Sequence, residues 1–168
     1  MNRFLRILKH RWLDEGDARR AVGSAAIGRL RDRVAASELT HSGEIRVCVE
    51  AGLPLSYLWR GAAARERAVT QFGKLRVWDT EHNNGVLIYL LLAEHRIEIV
   101  ADRGLSRFVG AAHWQAIAHD MGNAFRDDRF EEGLNAAIDS VTALLQRHFP
   151  LAPGEVNPNE LPDAPVLR

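Results

Sequence analysis

The run of Val86, Leu87, Ile88, Tyr89, Leu90, Leu91 and Leu92 constrains this chain more than any other stretch. A strand that is apolar on both faces has no side to offer to water. It belongs at the centre of a sheet with helices packed over both faces. The run is also far short of the roughly 20 apolar residues that span a bilayer as a helix. Asn83, Asn84 and Gly85 stand directly before it and signal a turn, because Asn and Gly tolerate positive φ. Asp79, Glu81 and His82 lie just upstream, so the central strand is entered through an oxygen-rich loop.

The flanking segments supply the rest of a sheet. Over residues 44–50, Ile45, Val47 and Val49 alternate with Glu44, Arg46, Cys48 and Glu50, the period of a strand with one well-buried face. An Ala- and Arg-rich helix over 62–75 separates this strand from 86–92, which makes the two parallel with a right-handed crossover. Residues 93–96 are too short a link for a crossover, so 97–101 returns as the second arm of an antiparallel hairpin. Helices follow over 111–125 and 130–148, and another over 24–39 precedes the first strand. Their inner faces read Trp114, Ile117, Met121, Phe125, then Leu134, Ile138, Val141, Leu145, and Ile27, Leu30, Val34, Leu39. The predicted class is α/β: a Rossmann-like α/β/α sandwich. Its mixed sheet holds one parallel βαβ unit and one antiparallel hairpin, with helices on both faces.

A chain of 168 residues suits a single core. Three parts are expected: an N-terminal amphipathic helix within 1–23, the α/β domain over 24–149, and an extended Pro-rich tail over 150–168. The tail is either loose or strapped across the domain. In the first helix Phe4, Leu5, Leu8 and Trp12 share a face, and Arg3, Arg6, Lys9 and Arg11 fill the other. Two readings compete: a helix packed on the domain through Phe4, Leu8 and Trp12, or a basic helix on an anionic membrane. The acids Asp14, Glu15 and Asp17 follow at once and favour packing. The basic residues also interrupt any secretory h-region, and no transmembrane segment is present, which points to the cytoplasm. With 22 basic and 22 acidic residues the chain lacks the charge of a general nucleic-acid binder. Cys48 is the single cysteine, which excludes an internal disulfide or a cysteine metal cluster.

Chain direction gathers the polar residues. With the first two strands parallel, loop 76–85 and Glu44 share the N-terminal end of the sheet. The antiparallel third strand brings Asp102, Arg103 and Gly104 back to that end. Glu44, Asp79, Glu81 and Asp102 become candidate metal ligands, and Asn83, Asn84, Gly85, Arg103 and Gly104 complete a binding edge. Carboxylates and carboxamides without cysteine are hard-oxygen chemistry and suit Ca²⁺ or Mg²⁺. The alternative is structural: Asp79 caps a turn, Asn83 to Gly85 shape the strand entry, and Asp102 pairs with Arg103 or Arg76. Zincin, dinucleotide, P-loop and nucleophile-elbow motifs are all missing.

The Asn83, Asn84, Gly85, Val86, Leu87, Ile88 stretch, followed by Ile97 through Asp102, Arg103, Gly104 and Leu105, resembles the TPM-domain family. That family is named for a thylakoid-lumen phosphatase, a photosystem II repair protein and a worm receptor modulator. Glu44 to Val47 look like its first core strand, and the tail around Asn159 to Asp163 is similar to that of a stand-alone bacterial subgroup. The resemblance implies an α/β/α sandwich and divalent-cation binding, often calcium, by acidic residues at one sheet end. It also implies acid phosphatase activity for the plant member, and roles in membrane-complex repair or assembly for others. Many members carry an acid after the Gly-Leu pair; residues 105–110 here have none. Three functions follow. The first is a non-enzymatic binding module with a Ca²⁺ or Mg²⁺ site and an unidentified protein partner. The second is a weak metal-dependent acid phosphatase, and the third a structural or interaction protein without metal.

Overall fold

Strand β1 (Ile45–Glu50) and strand β2 (Val86–Leu91) lie side by side and are buried along their whole lengths. The structure is a computed structural model that describes residues 3–127 and 129–168; Asp128, in the link expected between the last two helices, lies outside them. β1 pairs with β2 in parallel, Ile45 opposite Val86 and Glu50 opposite Leu91. Strand β3 (Arg96–Ala101) pairs antiparallel with β2, and the short strand β4 (Val166–Leu167) adds in parallel to the other side of β1. The result is an open mixed sheet of order β3-β2-β1-β4. The hairpin between β2 and β3 closes through a 3₁₀ turn and His95, which takes a left-handed φ of 49°.

Strand alternation splits the interior into two cores. Ile45, Val47, Val49, Val86, Ile88, Leu90 and Ile99 face one side. That side is covered by α2 (Glu15–Val22), α3 (Ser24–Glu38), α7 (Ala111–Arg126) and α8 (Phe130–His148). Cys48, Leu87, Tyr89, Leu91 and Val100 face the other side and meet α5 (Ala64–Lys74), Leu58 of α4 (Leu55–Trp59), and Leu161 of the tail. In α8, Leu134, Ile138, Val141 and Leu145 form the buried stripe expected at helical spacing. The first strand differs from its expectation in one respect: Arg46, Cys48 and Glu50 are buried too, because the tail and α5 cover the second face.

The N-terminal region departs further. Its first 23 residues hold two helices, α1 (Arg3–Arg11) and α2, because Asp14 starts a new helix with a capping box. The Asp14 side chain accepts from the Asp17 amide at 3.1 Å, and the Asp17 side chain accepts from the Asp14 amide at 2.8 Å. Phe4, Leu8 and Trp12 were expected to pack on the domain, yet they are exposed. Ile7, on the opposite face, packs against the second core instead. Leu39 is likewise exposed: Ala26, Leu30 and Val34 form the inner face of α3, and the chain has already turned by residue 39.

The tail crosses the N-terminal end of β1 and then pairs with its side. The amide of Ala51 donates to Arg168 O at 2.7 Å, and the Arg168 amide donates to Val49 O at 3.0 Å. The side chain of Asn157 donates to His41 O at 3.0 Å.

Candidate functional site

Backbone hydrogen bonds join most of the segments that chain direction assigned to one sheet end. The Val86 amide donates to Glu44 O at 2.8 Å, the Asp102 amide to Gly85 O at 2.9 Å, and the Gly104 amide to Asn83 O at 2.8 Å. Close approach makes the glycines necessary. A Cβ on Gly85 would lie 2.0 Å from Val77 O, and one on Gly104 would lie 2.4 Å from His82 O. The positive φ of the turn falls on Asn83, at 51°, not on Gly85.

Asn84 is fully buried. Its amide donates to Thr80 Oγ1 at 3.1 Å and its Nδ2 donates to Ser42 O at 3.0 Å. Its Oδ1 has no donor. Asp102 is buried and caps the short helix α6 (Arg103–Ser106), with Oδ1 accepting from the Arg103 amide at 2.6 Å. Its Oδ2 is buried without a partner. The Arg103 guanidinium donates to Asn83 Oδ1 at 3.2 Å. Among the described residues neither it nor Arg76 forms an ion pair with Asp102.

The other predicted ligands are engaged differently. Asp79 and Glu81 are exposed on the loop. The Asp79 amide donates to Arg76 O at 2.9 Å, and the Glu81 amide donates to the Glu160 carboxylate at 3.1 Å. Glu44 is sealed and turned toward the tail, its two oxygens accepting from the Glu160 and Leu161 amides at 3.1 Å each. Burial pushes its carboxyl above the usual range, and the two amides work against that. Glu38, which helical spacing puts on the outer face of α3, is buried and accepts from the Ile45 amide at 2.9 Å. Burial first, then the Glu44 charge, pushes the Glu38 carboxyl up to about 9. With that value Glu38 is protonated at neutral pH, where a second charge beside Glu44 would be costly. Among the described residues, no three His, Cys, Asp or Glu side chains gather into a group able to hold a metal ion.

The fold has counterparts among known proteins. The sequence profile of the TPM domain matches residues 17–144, well over half of the chain. The chain belongs to the TPM domain family. It is similar to the BA42 protein of the psychrophilic bacterium Bizionia argentinensis, known from an NMR structure. The two share 25% identity and a TM-score of 0.73, over 86% of this chain and 93% of that one. It also matches the solution NMR structure of the N-terminal domain of a P. gingivalis protein. There the identity is 21% and the TM-score 0.63, over 77% of this chain and 82% of that one, a likeness of fold. Comparison with curated protein sequences finds no match.

Two further features of this TPM domain carry no sequence motif. At the opposite end of β1, buried Glu50 is held by Arg67 and by the Tyr89 hydroxyl at 2.6 Å. Burial, and then the neighbouring Glu50 anion, pushes the Tyr89 phenol up, so it remains a donor. They are far apart in sequence: the register of β1 on β2 brings Tyr89 beside Glu50, and α5, packed on the same face, brings Arg67. Beside the outer strand β3, a groove of about 870 Å³ runs against α7 and is lined by Arg65, Arg96, Trp114, His119 and Arg126. Trp114, expected on the inner face of its helix, packs only partly against the core and lines this groove.

Proposed function

We propose that this TPM domain is a non-enzymatic binding module whose sheet end takes a divalent hard cation, Ca²⁺ or Mg²⁺. The observation that supports it is the pair of buried oxygens without donors, Asp102 Oδ2 and Asn84 Oδ1. An unsatisfied buried acceptor costs about 1–3 kcal/mol, and a cation relieves that cost where no N–H is in reach. Both are hard oxygens on hydrogen-bonded segments, and exposed Asp79 and Glu81 on the adjoining loop add negative potential. A carboxylate and a carboxamide oxygen are hard donors of the kind that Ca²⁺ and Mg²⁺ take. Glu44 fixes the tail to this end, its two oxygens accepting the Glu160 and Leu161 amides.

The phosphatase reading ranks below this one. Hydrolysis needs a positioned nucleophile or base. Arg103, the binding-edge cation that a phosphate would have to meet, has its guanidinium on Asn83. A purely structural role is the remaining alternative. Amide NMR titration with CaCl₂ and then MgCl₂ separates the three. Saturable shifts at 83–85 and 102–105, lost in Asp102→Asn, support the cation site. A folded protein with no saturable shift for either ion rules it out.

A further inference from the structure

We propose that α1 is a membrane-contact helix that lies in the plane of an anionic lipid surface. The way α1 is fastened carries the inference. Arg6 Nε donates to Glu94 Oε1 at 2.6 Å, and Arg6 Nη2 donates to Ala62 O at 2.7 Å. His10 is buried between two partners: its Nδ1 accepts from the Leu53 amide at 2.9 Å, and its Nε2 lies 3.0 Å from Glu94 Oε1. An Nδ1 that accepts places the imidazole proton on Nε2, so His10 donates to Glu94. With Ile7 also packed inward, one face of the helix is locked to the domain.

That lock turns the apolar face outward. Phe4 is 72% exposed, Leu5 57%, Leu8 47% and Trp12 80%. The neighbouring α4, which packs against α1, exposes Leu55 and Trp59 as well. A contiguous patch of large apolar side chains this exposed marks a contact surface. The helix is nine residues long, about 13 Å at helical rise, too short to span a bilayer but long enough to lie in its interface. Trp12 and Trp59 are the side chains that favour the headgroup level.

The charges select the lipid. No acidic residue occurs within α1, and Lys9 and Arg11 are exposed beside the apolar face. The acids that follow would oppose anionic lipid if free, but each is already engaged. Glu15 pairs with Arg19 at 3.5 Å, Asp17 pairs with Arg20 at 2.5 Å, and Asp14 serves the capping box of α2. A second copy of the chain is a poorer occupant, because it would bring Lys9 and Arg11 against their own counterparts.

The test uses the full chain with phosphatidylcholine vesicles, with and without phosphatidylglycerol, in EDTA so that the cation site plays no part. We expect co-sedimentation and a blue-shifted tryptophan emission with the anionic vesicles. Leu8→Glu and Trp12→Ser, both at exposed positions and each checked for wild-type circular dichroism, should each weaken binding by about tenfold or more. Lys9→Glu should erase the preference for anionic lipid. No binding to anionic vesicles overturns the proposal. So does binding that these variants leave unchanged. A concentration-dependent dimer that Leu8→Glu dissolves overturns it in favour of a second copy.

Discussion

Arg67 closes on Glu50 beneath the sheet. Its Nε lies 2.9 Å from Oε2 and 3.1 Å from Oε1, and its Nη2 also donates to Oε1. Glu50 is 3% exposed and Arg67 5%, so neither charge has water to fall back on. The Tyr57 ring stacks 5.0 Å from the guanidinium and screens it further.

Removing one partner of such a pair strands the other. Arg67→Met should cost about 3–5 kcal/mol, read as a lower urea midpoint with an unchanged m-value. Glu50→Leu combined with Arg67→Met should recover most of that loss, so a double-mutant cycle should be strongly non-additive.

Glycine substitutions should divide by position. Gly85→Ala drives a Cβ into the Val77 carbonyl, which is backbone and cannot step aside, and should cost about 1–3 kcal/mol. Gly73→Ala, in α5 with nothing near the new methyl, should raise stability by about 0.4–1 kcal/mol. Thermal unfolding of the two variants measures both signs.

Stability should fall at alkaline pH. The Glu38 carboxyl is raised from 4.5 to about 9, so between those values the folded state holds a proton that the unfolded chain has released. Stability therefore declines as pH rises through that window. Burial lowers His41 from 6.5 to about 4, so there the unfolded chain binds the extra proton and stability rises with pH. The two oppose each other below pH 6.5, and above it Glu38 dominates. The expected slope between pH 7 and 9 is at most about 1.4 kcal/mol per unit, and Glu38→Gln should flatten it. A pH series of denaturant midpoints tests this.

Glu44 should govern the tail. Glu44→Ala leaves the Glu160 and Leu161 amides without acceptors, so their hydrogen exchange should accelerate about tenfold or more. The effect should spread to Arg168, whose amide pairs with β1. Exchange in α8 should stay unchanged.

Asp102 should couple folding to cations. With millimolar Ca²⁺ or Mg²⁺ the wild type should gain about 1–3 kcal/mol, and Asp102→Asn should lose most of that gain. Asp102→Asn keeps an oxygen to cap α6, so its stability in EDTA should stay within about 1 kcal/mol of the wild type. Calorimetry of both proteins with and without ions gives the comparison.

The central strand, the hairpin, the parallel crossover and the helices α5, α7 and α8 were legible in the chain. Periodicity and link length are local properties, and local sterics limit how each can be met. The meeting of residues 83–85 with 102–104 followed as well, because chain direction in a sheet decides which loops share an end. Orientation and burial were decided by tertiary structure alone. Which face of α1 docks depends on Glu94 and Leu53, far away in sequence, and they recruit Arg6 and His10 rather than the apolar stripe. What Glu44 meets depends on a tail more than a hundred residues later, whose Glu160 and Leu161 amides donate to its two oxygens. Sequence by itself determined which groups each segment could present. Only the packed chain decided which of them met a partner, because a buried polar atom takes whichever donor or acceptor the fold brings within reach.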